Sequence, residues 1–431
     1  MSRVLFVTSN GTGLGHLTRG MAIARRFGDG VEPVFLTLSA AAPVVDRMGF
    51  HVEYFPSHGA AAAESPRRWD RRLRARLELL VDELDPRLLV FDGAHPYDGL
   101  VALLRARRGG SMRTVWCRRP MWRAGTGTEA IYWSGEFDEV LEPGEYAESE
   151  DRGPTVERRD EAERVEPIVF LDPGELNSRE AAAEELGLDP DRPHALIALG
   201  QGPELAGAVA RCLELLARHP EIQVAALESS LSPELRVPDD VVLLRGTYPM
   251  SRFHRAFDLA VAAAGYNAFH ELLAHGVPSL FVPMPRQIDD QAARARWAQS
   301  EGLGRGLDGP GDQALEARLE ELLEADVRGE IAKVGMEQAL LEGVVLTGGG
   351  ALLQGMCDVA EERLNCQARN GLPVGIAGLP DEINDAAWCV AAGLSMYSAK
   401  LKTRKEWKRT VPGILGMLYD KGATGGQHGG N

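Results

Sequence analysis

Along residues 1–326, short apolar runs alternate with amphipathic helical stretches, and few folds accept that alternation. Residues 4–7, 34–38, 52–55 and 88–91 read as strands, and 17–27 and 71–84 as helices with one apolar face. Strands separated by helices run parallel, and a parallel sheet needs helices on both faces. The rhythm lapses over 144–166, an acidic and arginine-rich stretch (Glu148, Glu150, Asp151, Arg158, Arg159, Asp160, Glu161) that reads as an exposed loop or linker. It resumes with strands at 195–199, 222–227, 241–244, 259–263 and 279–282 and helices at 204–217, 267–275 and 290–301; helix 313–324 closes the series. The expectation is α/β architecture: two doubly wound Rossmann-like domains, 1–165 and 166–326, with a cleft between them.

The basic residues mark a second break. The first 332 residues hold 37 arginines and no lysine, whereas Lys333 opens a stretch with six lysines and four arginines. A chain that needs a basic side chain dozens of times rarely avoids lysine by chance. The motif vocabulary changes within a few residues of the same point. Residues 327–410 read as a helix (328–340), an apolar strand and glycine turn (Val344, Val345, Leu346, Thr347, Gly348, Gly349, Gly350), a helix at 352–364 and another from Asp385. Residues 411–431 read as a flexible tail. Two pieces of different ancestry are the expectation, whether as a true fusion or as two joined reading frames.

Bulk properties narrow the class. At 431 residues the chain exceeds one core. A hydrophobic fraction of 44% with 26% charge is ordinary for a globular protein. No run of about 18 apolar residues offers a spanning helix, and Met1 leads directly into a strand, so no signal peptide is expected. The five cysteines form no CxxC pair and read as buried or idle thiols in a reducing cytosol. A net charge of −16 argues against nucleic acid as a partner.

Three glycine turns fall at strand ends. Ser9-Asn10-Gly11-Thr12-Gly13-Leu14-Gly15-His16 joins a strand to a helix, where glycines let amides approach a phosphate or sugar oxygen. A tight structural turn is the bland alternative for that spacing alone. His16 would stand at the cleft mouth as a base, with Asp92 at another strand end to orient it; a structural aspartate is equally consistent with that position. In the second turn, Gly265 permits close approach, and the amides of Tyr266 and Asn267 face an anion. Glu271 lies on the side of the next helix that looks back over the loop, where a carboxylate can accept from ribose hydroxyls. Asp290 and Gln291 follow a later strand and suit sugar hydroxyls. Gly200, Gln201 and Gly202 end another strand and suit a diphosphate. Trp116, Trp122, Tyr132 and Trp133 suit stacking on a sugar or lipid, or core packing.

The pattern Gly265-Tyr266-Asn267 with Glu271, then Asp290-Gln291, resembles the nucleotide-sugar signature of GT-B glycosyltransferases of the MurG and UDP-glucuronosyltransferase-like group. The resemblance implies that Glu271 holds the ribose, residues 265–267 the diphosphate, and Asp290 and Gln291 the donor sugar. Gly11, Gly13, Gly15 and His16 resemble the acceptor-side loop, with His16 as base. The implied reaction is inverting transfer of a sugar, of hexosyl type, from a UDP donor to a small-molecule, lipid or glycan hydroxyl. Helix N-termini and loop amides would meet the leaving-group charge, so no metal or other cofactor is required. Family members usually end in a helix that crosses back onto the first domain. Here the second domain stops near 326, which would leave the transferase clipped. A nucleotide-sugar epimerase of the same fold is the alternative.

Residues 343–351, 371–375 and 391–394 resemble the terminal region of the FtsA family of actin-like cell-division proteins. In such ATPases the glycine turn touches nucleotide, a role that falls on Gly348, Gly349 and Gly350. The opposite wall and its metal site are absent, so the ATP site is incomplete and no ATPase activity is expected. A non-enzymatic, division-associated role through this region is the rival reading for the whole chain. Lys400, Lys402, Arg404, Lys405, Lys408 and Arg409 precede an apolar patch at 414–419, a composition that docks weakly on anionic lipid. Pro412, Gly413 and Gly416 disfavour a helix there, so a solvated tail is the preferred expectation. Placement is cytoplasmic, with peripheral membrane or division-protein contact as the alternative.

Overall fold

Val4, Leu5, Phe6 and Val7 have no exposed surface, as a strand covered on both faces requires. They form the centre of β1 (Ser2–Thr8) in a computed structural model that describes residues 2–9, 14–61, 64–200, 203–229, 235–324, 344–346 and 368–371. Six more strands complete the first sheet: β2 (Val31–Thr37), β3 (His51–Tyr54), β4 (Leu88–Asp92), β5 (Arg113–Cys117), β6 (Glu139–Pro143) and β7 (Ala162–Val165). Their order is β3-β2-β1-β4-β5-β6-β7, every pair parallel. The helices are α1 (Gly15–Ala24), α2 (Ala42–Arg47), α3 (Pro66–Leu84), α4 (Asp98–Ala106) and the single turn α5 (Thr128–Ile131).

A second parallel sheet contains β8 (His194–Ala198), β9 (Gln223–Leu227), β10 (Val242–Leu244), β11 (Leu259–Ala263), β12 (Ser279–Val282) and β13 (Arg305–Gly306), in the order β10-β9-β8-β11-β12-β13. It is wrapped by α6 (Arg179–Leu186), α7 (Pro203–Leu216), α8 (Tyr266–Ala274), α9 (Gln291–Ser300) and α10 (Leu315–Glu324). Strand order reverses direction between β1 and β4 in one sheet and between β8 and β11 in the other. Those reversals are where open parallel sheets bind ligands.

Both sheets lie in one compact unit, Met1–Ala325; a second unit covers Asp326–Asn431. In the second, the described residues form two parallel strands, β14 (Val344–Leu346) and β15 (Ala368–Asn370). Gly348, Gly349 and Gly350, the helices read at 328–340, 352–364 and from Asp385, and the tail lie outside the described residues.

Residues 144–166 correct the sequence reading. They are not an exposed linker: Asp151 and Thr155 are buried, and 162–165 add β7 to the sheet edge. Charge does not force exposure here because the charges satisfy one another. Arg159 reaches Glu142 at 3.3 Å, Glu148 at 3.2 Å and Asp151 at 2.9 Å. Arg118, fully buried, donates to Ser134 Oγ and to the Arg158 carbonyl, each at 2.9 Å.

Trp116 and Trp122 are buried core residues rather than open to a ligand: Trp116 packs with Phe91 and Phe137, and Trp122 with Trp116. Tyr132 is 74% exposed with the Arg158 guanidinium over its ring. Helices α3 and α4 approach closely at Gly99, where a Cβ would press on the Asp70 carbonyl and lie 3.1 Å from the Arg74 nitrogen. Gly99→Ala must push these packed helices apart and is expected to cost about 1–3 kcal/mol, read from urea unfolding midpoints.

Candidate functional site

The register of the first sheet sets Thr8, the last residue of β1, beside Asp92, the last residue of β4. Residues 10–13, among them Gly11 and Gly13, lie outside the described residues, and Gly15 opens α1. His16 in the first turn of α1 comes back over the end of β4. Its Nδ1 lies 2.6 Å from Asp92 Oδ1. Because a carboxylate only accepts, Nδ1 carries the proton in this contact, and the basic lone pair belongs to Nε2. The His16 side chain is 18% exposed while Asp92 is buried, so the imidazole bridges solvent and core.

Asp92 has a second partner that sequence reading missed. Arg19, one helical turn after His16, donates from Nε to Oδ2 at 2.8 Å and from Nη2 to Oδ1 at 2.5 Å. Burial alone would raise the Asp92 carboxyl, but Arg19 and His16 outweigh it and hold it below the usual carboxylate range. The neighbouring Cys117 thiol is pushed up to about 12, mainly by burial and by Asp92, so it is an inert thiol.

On the second sheet, β11 ends and Gly265 caps α8 in extended conformation, presenting the amides at the start of that helix. Asn267 Nδ2 donates to the Gly15 carbonyl at 3.2 Å, so the starts of α1 and α8 meet. The Tyr266 hydroxyl is committed inward: it donates to the Gly144 carbonyl at 2.8 Å and accepts from the Ile168 amide at 3.1 Å. Glu271 is buried on α8, and its Oε1 accepts from the Phe170 amide at 3.1 Å. Among the described residues no cation pairs with it, and burial pushes its carboxyl up to about 7, the Phe170 bond opposing.

Gln291 packs beside Gly265: a Cβ there would lie 3.6 Å from its side-chain nitrogen. Its oxygen accepts from the Met284 amide at 2.9 Å and its nitrogen donates to Asp289 at 3.0 Å. Asp290 caps α9 by accepting from the Ala293 amide at 3.1 Å. Both side chains thus brace their own loop. Gly200 turns the chain after β8 with φ of 76°, a conformation that favours glycine; Gln201 and Gly202 lie outside the described residues.

A second charged cluster, also absent from the sequence reading, joins the two sheets' loops. Arg294, fully buried on α9, bonds Glu145 and Asp289 at 2.8 Å each. Asp289 also pairs with Arg119 at 2.9 Å, and Glu145 with His270 at 3.1 Å. Backbone bonds run alongside: the Arg123 amide reaches the Ile288 carbonyl at 2.6 Å, and the Asp290 amide the Met121 carbonyl at 2.9 Å. Among the described residues no group of three or more histidine, cysteine or acidic side chains is placed to hold a metal ion, and no helix is long and apolar enough to cross a membrane.

Two doubly wound domains whose strand ends and helix N-termini confront each other constitute the GT-B fold, and the first unit has it. The chain is similar in structure to the S. aureus MnaA–UDP complex (TM-score 0.53, 10% identity, 77% of this chain and 91% of that one). It is also similar to the spinosyn forosaminyltransferase SpnP (TM-score 0.51, 17% identity, 77% and 94%). At such identities the likeness is one of fold. A fraction of the chain is similar in sequence to the cell division protein FtsA: 41% identical over 83 residues to that of Borreliella burgdorferi, covering 19% of this chain and 20% of the relative. The match to Pseudomonas aeruginosa FtsA is 33% over 85 residues, 20% of each. The chain thus spans about a fifth of the length of these curated relatives. No family model matches it.

Proposed function

We propose that the unit Met1–Ala325 is an inverting, metal-independent glycosyltransferase that moves a sugar, of hexosyl type, from a UDP donor to an acceptor hydroxyl. The observation that carries the reading is the His16 Nδ1–Asp92 contact of 2.6 Å, beside the turn where Asn267 meets Gly15. A carboxylate on Nδ1 fixes the tautomer that offers Nε2 as general base. In the proposed step Nε2 takes the acceptor proton as the hydroxyl oxygen attacks the anomeric carbon. The bond from that carbon to the diphosphate oxygen breaks, and UDP leaves with the electron pair. The amides at the start of α8 meet the charge that develops on the diphosphate. Glu271 is assigned to the ribose, Gly265 and the amides of Tyr266 and Asn267 to the diphosphate, Asp290 and Gln291 to the donor sugar, and Gly200, Gln201 and Gly202 to the diphosphate edge. The FtsA-like fraction is proposed to add no ATP hydrolysis, since it matches only about a fifth of the length of its relatives.

The test is incubation of the full chain with UDP-glucose, UDP-galactose or UDP-N-acetylglucosamine and an acceptor panel, followed by mass spectrometry. A product heavier than the acceptor by one hexosyl unit and inverted at the anomeric carbon supports the reading. Rearranged donor without transfer replaces it with epimerase chemistry, and no binding of any UDP species by calorimetry overturns both.

Glu271 gives a second expected result. Its folded carboxyl lies near 7 against an ordinary value of 4.5, so the folded state holds the proton more tightly. That contribution is complete below the ordinary value and is lost as pH rises through about 7. Glu271→Gln is therefore expected to stabilise the unit by about 2–3 kcal/mol near pH 8 and by almost nothing near pH 4. The same substitution is expected to weaken UDP binding about 10–100-fold. A carboxyl kept at a stability cost and needed for binding marks a ligand-facing role; higher stability with unchanged UDP affinity would reassign Glu271 to packing.

A further inference from the structure

The buried guanidinium of Arg19 is the group nearest the proposed base to which nothing above gives a role in the reaction. It sits three residues after His16, so the two side chains share one face of α1. Its two bonds to Asp92 are bidentate, the geometry in which a guanidinium most fully balances a carboxylate. Its carbon also lies 5.2 Å from the centre of the Tyr266 ring, on the helix that bears the donor-side turn. Arg19 Nη2 comes within 3.3 Å of His16 Nδ1.

We infer that Arg19 is a positioning residue: it keeps Asp92 an anion whose charge is already balanced, so that Asp92 can orient His16 without drawing a second proton onto it. The inference rests on the reading of His16 as the base.

The charge balance around the pocket supports it. The groups facing it are His16 and Arg19 from α1, Asp92 from β4, Cys117 and Arg119 at the end of β5, and Tyr266 from α8. Burial raises both the Cys117 thiol and the Tyr266 phenol, so both are neutral across the working range. Arg119 is occupied by Asp289. Among the described residues this leaves Asp92 as the anion against His16, with Arg19 as its counter-charge. Without Arg19, a buried carboxylate would find its counter-ion in the imidazole itself, and an imidazolium has no lone pair to accept a proton. The stacking on Tyr266 adds a geometric consequence. The same guanidinium bonds the aspartate that orients the base and lies over the ring of the first residue of the donor-side helix, so the base and the donor turn share one neighbour.

The experiment uses the full chain labelled with 15N-histidine. Long-range nitrogen–proton spectra follow both ring nitrogens of His16 across pH, its signals assigned by their loss in His16→Gln. Relative to the wild type, Arg19→Met is expected to move the midpoint of His16 protonation upward by about 1 pH unit or more, and Asp92→Asn to move it downward. Arg19→Lys, which keeps the charge but not the fork, is expected to fall between Arg19→Met and the wild type. Opposite signs at two touching positions are not produced by loosened packing. If Arg19→Met does not fold, Arg19→Lys and Asp92→Asn still decide the matter by the sign of their difference. A wild-type midpoint in both Arg19 variants, or movement of the Arg19 and Asp92 variants in the same direction, would overturn the inference. The imidazole reports independently of turnover. Expected shifts with no transfer by the wild type at any pH would remove His16 as base while leaving the charge arrangement standing.

Discussion

His16→Ala is expected to lower the transfer rate by about 10²–10⁴-fold while leaving UDP affinity nearly unchanged. The expectation follows from where His16 sits. Its ring is held by Nδ1 alone among the described bonds, and it is partly open to solvent. Its loss therefore removes a proton acceptor and little packing. Asp92→Asn should cost a comparable factor for a different reason: the amide can present a donor to Nδ1 and favour the wrong tautomer. Single-turnover rates and UDP titration calorimetry on the same samples separate the two quantities. A large loss of UDP affinity in His16→Ala would move His16 from the base to the donor pocket.

The second large effect is expected in stability. Arg294→Met leaves Glu145 and Asp289 buried with a partner removed from each, at a cost of about 3–5 kcal/mol. The acid dependence should change as well. Burial pushes the Glu145 carboxyl up, but Arg294 and His270 outweigh it and hold it at about 2, against an ordinary 4.5. A depressed carboxyl contributes stability that is present above its ordinary value and lost as pH falls toward the folded one. Wild-type stability should therefore drop between about pH 4.5 and 2, and the drop should be shallower in Arg294→Met. Exchanging both partners, Arg294→Met with Glu145→Leu, should recover much of the loss, because no carboxylate of that pair then stays buried without its arginine. Urea unfolding at several pH values measures all three. Equal stability of Arg294→Met and wild type at neutral pH would show that water reaches this cluster.

The parallel sheets were legible in the sequence wherever apolar runs are continuous, as at Val4, Leu5, Phe6 and Val7. They were not legible at β13, a strand of two residues in which Arg305 and Gly306 pair with β12. The 144–166 stretch misleads because exposure is inferred from charge residue by residue, whereas Arg159 lies within salt-bridge distance of three acids that sequence separation does not connect. The site divides in the same way. A doubly wound order places the ends of β1 and β4 side by side, so His16 and Asp92 can be paired from sequence. Arg19 and Arg294 escape because an arginine in a helix reads as a solvated face until its partner is known, and Glu145 escapes because it falls in the charged stretch read as exposed. The one available signal for Arg19 is its spacing of one turn from His16.

The boundary after Ala325 also divides the chain in its chemistry. Every lysine lies beyond it, from Lys333 onward, so the first unit carries no side-chain primary amine at all. A lysine-specific endoprotease has no site within that unit and can release it in one piece, whereas an arginine-specific one can attack it throughout. Amine-directed crosslinkers, dyes and surface immobilisation will likewise report only the amino terminus and the second unit. An immobilised sample therefore presents the proposed sugar-transfer site unmodified.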